Sequence, residues 1–153
     1  MSEQKQKFEW RRDTTASLAR IEAEIELVNG YDAQKVRNKI FREHEMRRML
    51  VRARVDSEAF YLCINENIRQ VLDLDVIRKK WVQMADGKEK EYDIVGTVEI
   101  IFKNRIVHCS PALVLPGDTE SVLGLRTLRE MNVIIDPDRN ELIENPEEYI
   151  ARI

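Results

Sequence analysis

The first residues able to do chemistry are a carboxylate and a hydroxyl side by side. Asp56 follows the apolar run from Val51 to Val55, in the string Val55-Asp56-Ser57-Glu58-Ala59. A carboxylate delivered by the end of a buried strand can serve as general acid or base. It can equally cap a turn, and taken alone the cap is the commoner use. Two further strings stand out. Asp86-Gly87 is a strong hairpin signal, because a tight two-residue turn wants positive φ at both central positions. Val122-Leu123-Gly124 precedes a helical pattern, and by itself reads as ordinary core followed by a turn.

Other groupings carry less. Asp136-x-Asp138-x-Asn140 imitates a calcium loop, but Glu141 stands where that loop needs Gly, and Pro137 intrudes. Cys63, His108 and Cys109 form no metal-type spacing, and thiols in apolar strands usually serve packing. His44 has no evident acid partner. No phosphate loop of the Gly-x-x-x-x-Gly-Lys type is present. Neither a metal nor another cofactor is expected.

The elements that must position Asp56 are mostly strands. Ile21, Ala23, Ile25 and Leu27 alternate with Glu22, Glu24 and Glu26, the period of a half-buried strand. Asn29-Gly30 is expected to end it in a turn, and Asp32 to cap a short helix carrying Val36 and Ile40. Met49, Val51, Ala53 and Val55 form a second strand that ends at Asp56. Residues 60–64 make an apolar run, and Asn65 is a cap for a brief helix with Ile68, Val71 and Leu72 on one face. Residues 77–84 and 91–102 read as strands around Asp86-Gly87, with a bulge or bend at Gly96. Residues 105–115 form another, with Pro111 marking an edge or a bulge. A helix over 125–131 follows Gly124, and a closing hairpin surrounds residues 137–140. The total is about seven short strands and a few short helices, a small mainly β barrel.

Composition limits the class. The chain has 153 residues, 25 Lys plus Arg, 28 Asp plus Glu and a net charge of −3. That suits one domain with a real core. The longest stretch without a charged Asp, Glu, Lys or Arg is residues 106–117, too short to span a membrane. The N-terminus has no apolar signal core, and two cysteines make no disulfide framework. A cytoplasmic location is the expectation. Residues 35–54 hold eight basic and two acidic residues, and residues 116–153 nine acidic and four basic; without aromatic interleaving the basic segment reads as a solvated face or one matched to the chain's own acidic end. No nucleic acid or membrane partner is expected.

In order along the chain, these strings acquire specificity. From Met49 onward the sequence resembles the retropepsin-like aspartic proteases, in particular a prokaryotic branch often called clan AA aspartic proteases. The resemblance runs through Val55-Asp56-Ser57-Glu58-Ala59, Met84-Ala85-Asp86-Gly87, Val95-Gly96, Val114-Leu115-Pro116-Gly117, Val122-Leu123-Gly124, Ile134-Ile135-Asp136-Pro137 with Leu142, and Glu144-Asn145-Pro146. It covers about 100 residues, and it implies a small closed acid-protease barrel over residues 21–146 with one or two short helices. Residues 1–20 would be a flexible or helical extension and 147–153 a tail.

The resemblance also implies a chemistry. Peptide hydrolysis by this route needs two carboxylates around one water. Held close, they share a proton, so one acts as base and the other as acid. One chain offers one such Asp, so the working unit would be a two-fold homodimer with Asp56 from each protomer. Ser57 would lock the two loops across the dimer. Ala85, Asp86 and Gly87 would form the tip of a flap over a peptide or protein substrate, with Glu58 and Ala59 on the cleft floor. Val122, Leu123 and Gly124 would be the second structural motif.

Glu58 is the departure, because the family has Gly there. A glutamate adds bulk and a second negative charge beside the dyad, and a Cβ is expected to strain the backbone. Impaired peptidase activity is therefore expected. The alternative is a homodimer on the same fold that binds peptide or protein without cutting it.

Overall fold

Strand β1 (Glu22–Asn29) turns Ala23, Ile25 and Leu27 inward and Glu22 and Glu24 to solvent, as its alternation requires. It pairs antiparallel with β2 (Arg48–Val55), which sets Glu22 opposite Arg54 and Glu24 opposite Arg52. The computed structural model describes residues 20–146. The expected extension over 1–20 and tail over 147–153 fall outside the described residues, Arg20 apart.

Between these strands the local reading needs correcting. Asn29-Gly30 does not make a simple turn: Gly30 opens helix α1 (Gly30–Arg37), and Asn29 is its cap. The Asn29 side-chain oxygen accepts from the amides of Tyr31 at 3.0 Å and Asp32 at 3.1 Å. Asp32, the expected cap, is instead fully buried, and its carboxylate is taken by Arg47. A cap must precede the helix, and a buried carboxylate needs a cation more than a backbone amide does. A short 3-10 turn, Glu43–Glu45, leads back to β2.

Strand β3 (Leu62–Asn65) follows the Asp56 loop, and Asn65 caps helix α2 (Glu66–Leu72) through the Ile68 amide at 2.9 Å. Ile68 and Leu72 are buried as expected, while Val71 turns to solvent. Strands β4 (Asp75–Gln83) and β5 (Glu89–Phe102) form a long hairpin. Its loop has three residues, Ala85, Asp86 and Gly87, between Met84 and Lys88. Only Gly87 takes positive φ, +85°, because a three-residue loop needs the left-handed conformation at its last position alone. The Asp86 carboxylate accepts from the Lys88 amide and stiffens that turn.

Strand β6 (Arg105–Leu115) pairs with β5, and their register breaks between Val95 and Val98, beside Gly96. Pro111 lies opposite this break, so it marks a bulge. It does not mark an edge, since β6 runs between β3 and β5. Then comes β7 (Ser121–Leu123), a strand of three residues that the alternation did not reveal. Helix α3 (Leu125–Met131) and the hairpin of β8 (Val133–Asp136) and β9 (Glu141–Glu144) complete the chain. The described residues hold nine strands and three short helices, against about seven strands and two or three helices expected from the pattern and one or two from the resemblance.

The large sheet runs β1-β2-β7-β3-β6-β5, and β1 also pairs with β5, closing six strands into a barrel. Strand β4 continues the sheet outside that ring. Ile25, Leu27, Ile64, Leu72, Ile100 and Leu123 are fully buried inside, each worth about 1.5–3 kcal/mol of transfer free energy. A second apolar cluster lies on the other face of the sheet: Tyr92, Ile94 and Leu113, flanked by Tyr61, Cys63, Val82 and Leu115. No helix among the described residues is long and apolar enough to cross a membrane.

Candidate functional site

The Asp56 loop connects β2 to β3, and β7 is inserted between those two strands. It runs parallel to β2, with Val55 opposite Leu123, and antiparallel to β3, with Cys63 opposite Val122. Backbone bonds stitch the loop to the β7–α3 junction. The Asp56 amide donates to the Leu123 carbonyl at 3.0 Å, the Leu125 amide to Ala59 at 2.7 Å, and the Arg126 amide to Phe60 at 3.1 Å. Gly124 is required by that closeness. A Cβ there would lie 2.4 Å from the Tyr61 carbonyl oxygen and 2.6 Å from the Phe60 carbonyl carbon, at an ordinary negative φ. The structure thus brings together Asp56, Ser57, Glu58, Ala59, Val122, Leu123 and Gly124.

The Asp56 carboxylate is fixed from two sides. One oxygen accepts from the Glu58 amide at 3.0 Å, and the other from Arg54 Nη1 at 2.9 Å. The side chain keeps 27% of its surface open to solvent. Ser57 and Ala59 are half-buried beside it. Glu58 is exposed, and its φ lies outside the left-handed region, so a Cβ at this position strains nothing. That corrects the conformational objection to Glu58: the turn takes any L residue here, and the amide that supports Asp56 is still supplied. Its charge remains.

Arg54 is the site residue that the sequence reading missed. Residues two apart on a strand share a face, so Arg54 and Asp56 were bound to meet. Arg54 also reaches Glu120 at 3.4 Å, and Glu120 pairs with Arg20. The arginines of the basic segment, Arg42 apart, are otherwise matched by acids from several elements: Arg37 by Glu99, Arg47 by Asp32 and Asp73, Arg48 by Glu26 and Glu43, Arg52 by Glu22. Of these acids only Glu120, on Arg54, belongs to the acidic C-terminal part of the chain.

Strand partnering carries the Arg54 face onward. Arg54 lies opposite Val122, Val122 opposite Cys63, Cys63 opposite Leu113, and Leu113 opposite Ile94. The second apolar cluster therefore lies on the same side of the sheet as Arg54 and Asp56. Burial pushes the Cys63 thiol up to about 11, with the Arg54 and Asp56 charges acting in opposite senses upon it. Phe60 is exposed and meets Tyr61 edge to face at 5.0 Å. Ala85, Asp86 and Gly87 sit at the exposed hairpin tip, and within one chain no bond joins them to Asp56 among the described residues. The hairpin touches the site through Lys80, whose Nζ lies 5.3 Å from the Tyr61 ring centre.

No group of three or more His, Cys, Asp or Glu among the described residues is placed to hold a metal ion. A fixed, solvent-open carboxylate next to an apolar surface can accept a proton, orient a water or bind a cationic group. No protein-family model and no curated protein matches this chain.

Proposed function

We propose that the chain is a retropepsin-like aspartic endopeptidase that works as a two-fold homodimer. The observation that carries this reading is the Asp56 loop. Its backbone is tied to Leu123, Leu125 and Arg126, while its carboxylate is held by an amide and left open to water. Such a carboxylate is positioned before substrate arrives, which general acid–base catalysis requires. Two copies across a two-fold axis would share one proton around a water. One Asp56 would then take a proton from that water as it attacks the peptide carbonyl, and the other would protonate the departing amine. Ser57 would tie the two loops, and the hairpin ending in Ala85, Asp86 and Gly87 would close over the substrate. The exposed Glu58 side chains would lie at the cleft rim and weaken turnover by adding negative charge.

The Arg54 pair favours a second reading, a homodimer that holds peptides without cutting them. Arg54 Nη1 takes one Asp56 oxygen at 2.9 Å and the Glu58 amide takes the other at 3.0 Å, so both oxygens already carry a hydrogen bond before a water arrives.

Cleavage of a mixed peptide library between about pH 4 and 7, where shared-proton dyads work, separates the two. Activity in the natural chain that Asp56→Asn abolishes supports the peptidase. Silence in the natural chain with cleavage by Glu58→Gly identifies a lapsed peptidase site. Silence in both, with peptides still bound by a dimer, establishes the binding module. A silent monomer sinks both readings.

A further inference from the structure

The β4–β5 hairpin separates its charges by face. Its register sets Arg78 opposite Ile94, Lys80 opposite Tyr92 and Val82 opposite Lys90 on one face. On the other, Lys79 lies opposite Asp93, Trp81 opposite Glu91 and Gln83 opposite Glu89. Directly opposed residues share a face. Beyond the bulge at Ile77, the first face therefore carries Arg78, Lys80 and Lys90 and the second carries Glu89, Glu91 and Asp93; Asp75, opposite Gly96, shares the first face at the barrel end of the hairpin. The cationic face is the one that belongs to the second apolar cluster, since Tyr92, Ile94 and Val82 are its members. It is also the face turned toward the Asp56 side, because Lys80 lies over Tyr61 and Lys90 over Tyr92.

These cations have no acid of their own. Lys79, on the opposite face, reaches Asp93 at 3.9 Å, but among the described residues no carboxylate pairs with Arg78, Lys80 or Lys90. Lys90 and Tyr92 border a groove together with Glu66, Glu91 and Asp93; of these acids Glu66 is held by Arg69 at 2.8 Å and Asp93 by Lys79 at 3.9 Å. Unpaired cations beside aromatic rings, over an apolar floor, suit an extended chain carrying carboxylates.

We infer that this face selects peptide segments rich in Asp and Glu, with Arg78, Lys80 and Lys90 as its specificity residues. The inference rests on the reading of the Asp56 side as a peptide site. The test uses the full chain carrying Asp56→Asn, so that no probe is consumed. The probes are labelled peptides identical except for glutamates, glutamines or lysines at the same positions, together with single-stranded oligothymidylate. The glutamate peptide is expected to bind about tenfold tighter than the glutamine peptide, the sum of a few exposed ion pairs, and to weaken with salt. Lys80→Ala with Lys90→Ala should abolish that preference, whereas Lys79→Ala, on the opposite face, should leave it. Equal binding of acidic and neutral peptides overturns the inference, as does equal loss from Lys79→Ala. Tighter capture of oligothymidylate through the same lysines overturns the peptide assignment. Cleavage by the natural chain without acidic preference refutes this inference alone. Acidic preference without cleavage by any variant refutes the peptidase alone.

Discussion

Asp32 and Arg47 show how much one buried carboxylate costs and what offsets it. The Asp32 side chain is 1% exposed, and Arg47 binds it through Nε at 2.7 Å, Nη2 at 2.9 Å and its own amide at 3.0 Å. The Arg47 hydrogen bonds hold its carboxyl below the usual value of 3.8, against the opposing pull of burial. The unfolded chain therefore takes up this proton first as pH falls. The stabilisation is complete above about pH 4 and is lost as pH drops through the lower folded value. Arg47→Met should cost about 3 kcal/mol at neutral pH, by leaving a buried charge unpaired, and urea melts measure it. Asp32→Asn should flatten the acid limb of stability in the same melts. The cysteines make a simpler contrast. Cys63 stays a thiol until about pH 11, whereas Cys109 is exposed. Iodoacetamide near pH 8 should label the native chain once, at Cys109, and Cys63 only after denaturation, with peptide mass mapping as the readout. Rapid labelling of Cys63 would mean that the sheet opens beside the site.

At the scale of elements, β7 with Gly124 holds the site together. Three residues bridge β2 and β3, and the next residue lets α3 start against the backbone of Phe60 and Tyr61. Gly124 precedes α3 as its cap residue in extended conformation, so Gly124→Ala should act chiefly on the Asp56 loop, whose backbone the new Cβ would meet. A Cβ meeting backbone has no flexible neighbour to displace. The expected cost is about 1–3 kcal/mol, with faster hydrogen exchange at the amides of Asp56, Leu125 and Arg126. Unchanged exchange there would refute the coupling. The hairpin behaves differently. Its outer strand β4 packs little, and Ile77 and Trp81 are 58% and 64% exposed, so it is attached to the barrel mainly through β5. An element held along one edge can move without unfolding the ring that carries Asp56.

At the scale of the whole molecule, one chain presents one Asp56, and the proposed reaction needs two. Activity should therefore depend on association. Specific activity should fall on dilution in step with the dimer fraction seen by sedimentation. At a fixed total of chain, an equal mixture of natural and Asp56→Asn should show about a quarter of the activity of natural chain alone, because only pairs with two intact carboxylates work. Half the activity remaining would show that each chain acts alone, and the shared-proton mechanism would fall.

Much of this was legible along the chain. The alternation of Ile21 to Leu27 and of Met49 to Val55, the cap at Asn65, the hairpin at Asp86-Gly87, the bulge at Gly96 and the helix after Gly124 are local, and local sterics and burial write them into sequence. The barrel itself was expected from the succession of short strands. What alternation could not supply was β7. Three residues are too few to display a period, and Ser121, Val122 and Leu123 are all buried, so no exposed position marks an alternation. Nor could it show that β1 returns to pair with β5, that Arg47 reaches back to Asp32, or that Gly124 lies against the Asp56 loop. The sequence by itself determined which residues turn inward, where the chain bends and which carboxylate stands at a strand end. Only the tertiary structure decided what that carboxylate meets. Hydrogen-bond partners and ion pairs between distant segments depend on where the chain returns, and closure of the barrel set that return.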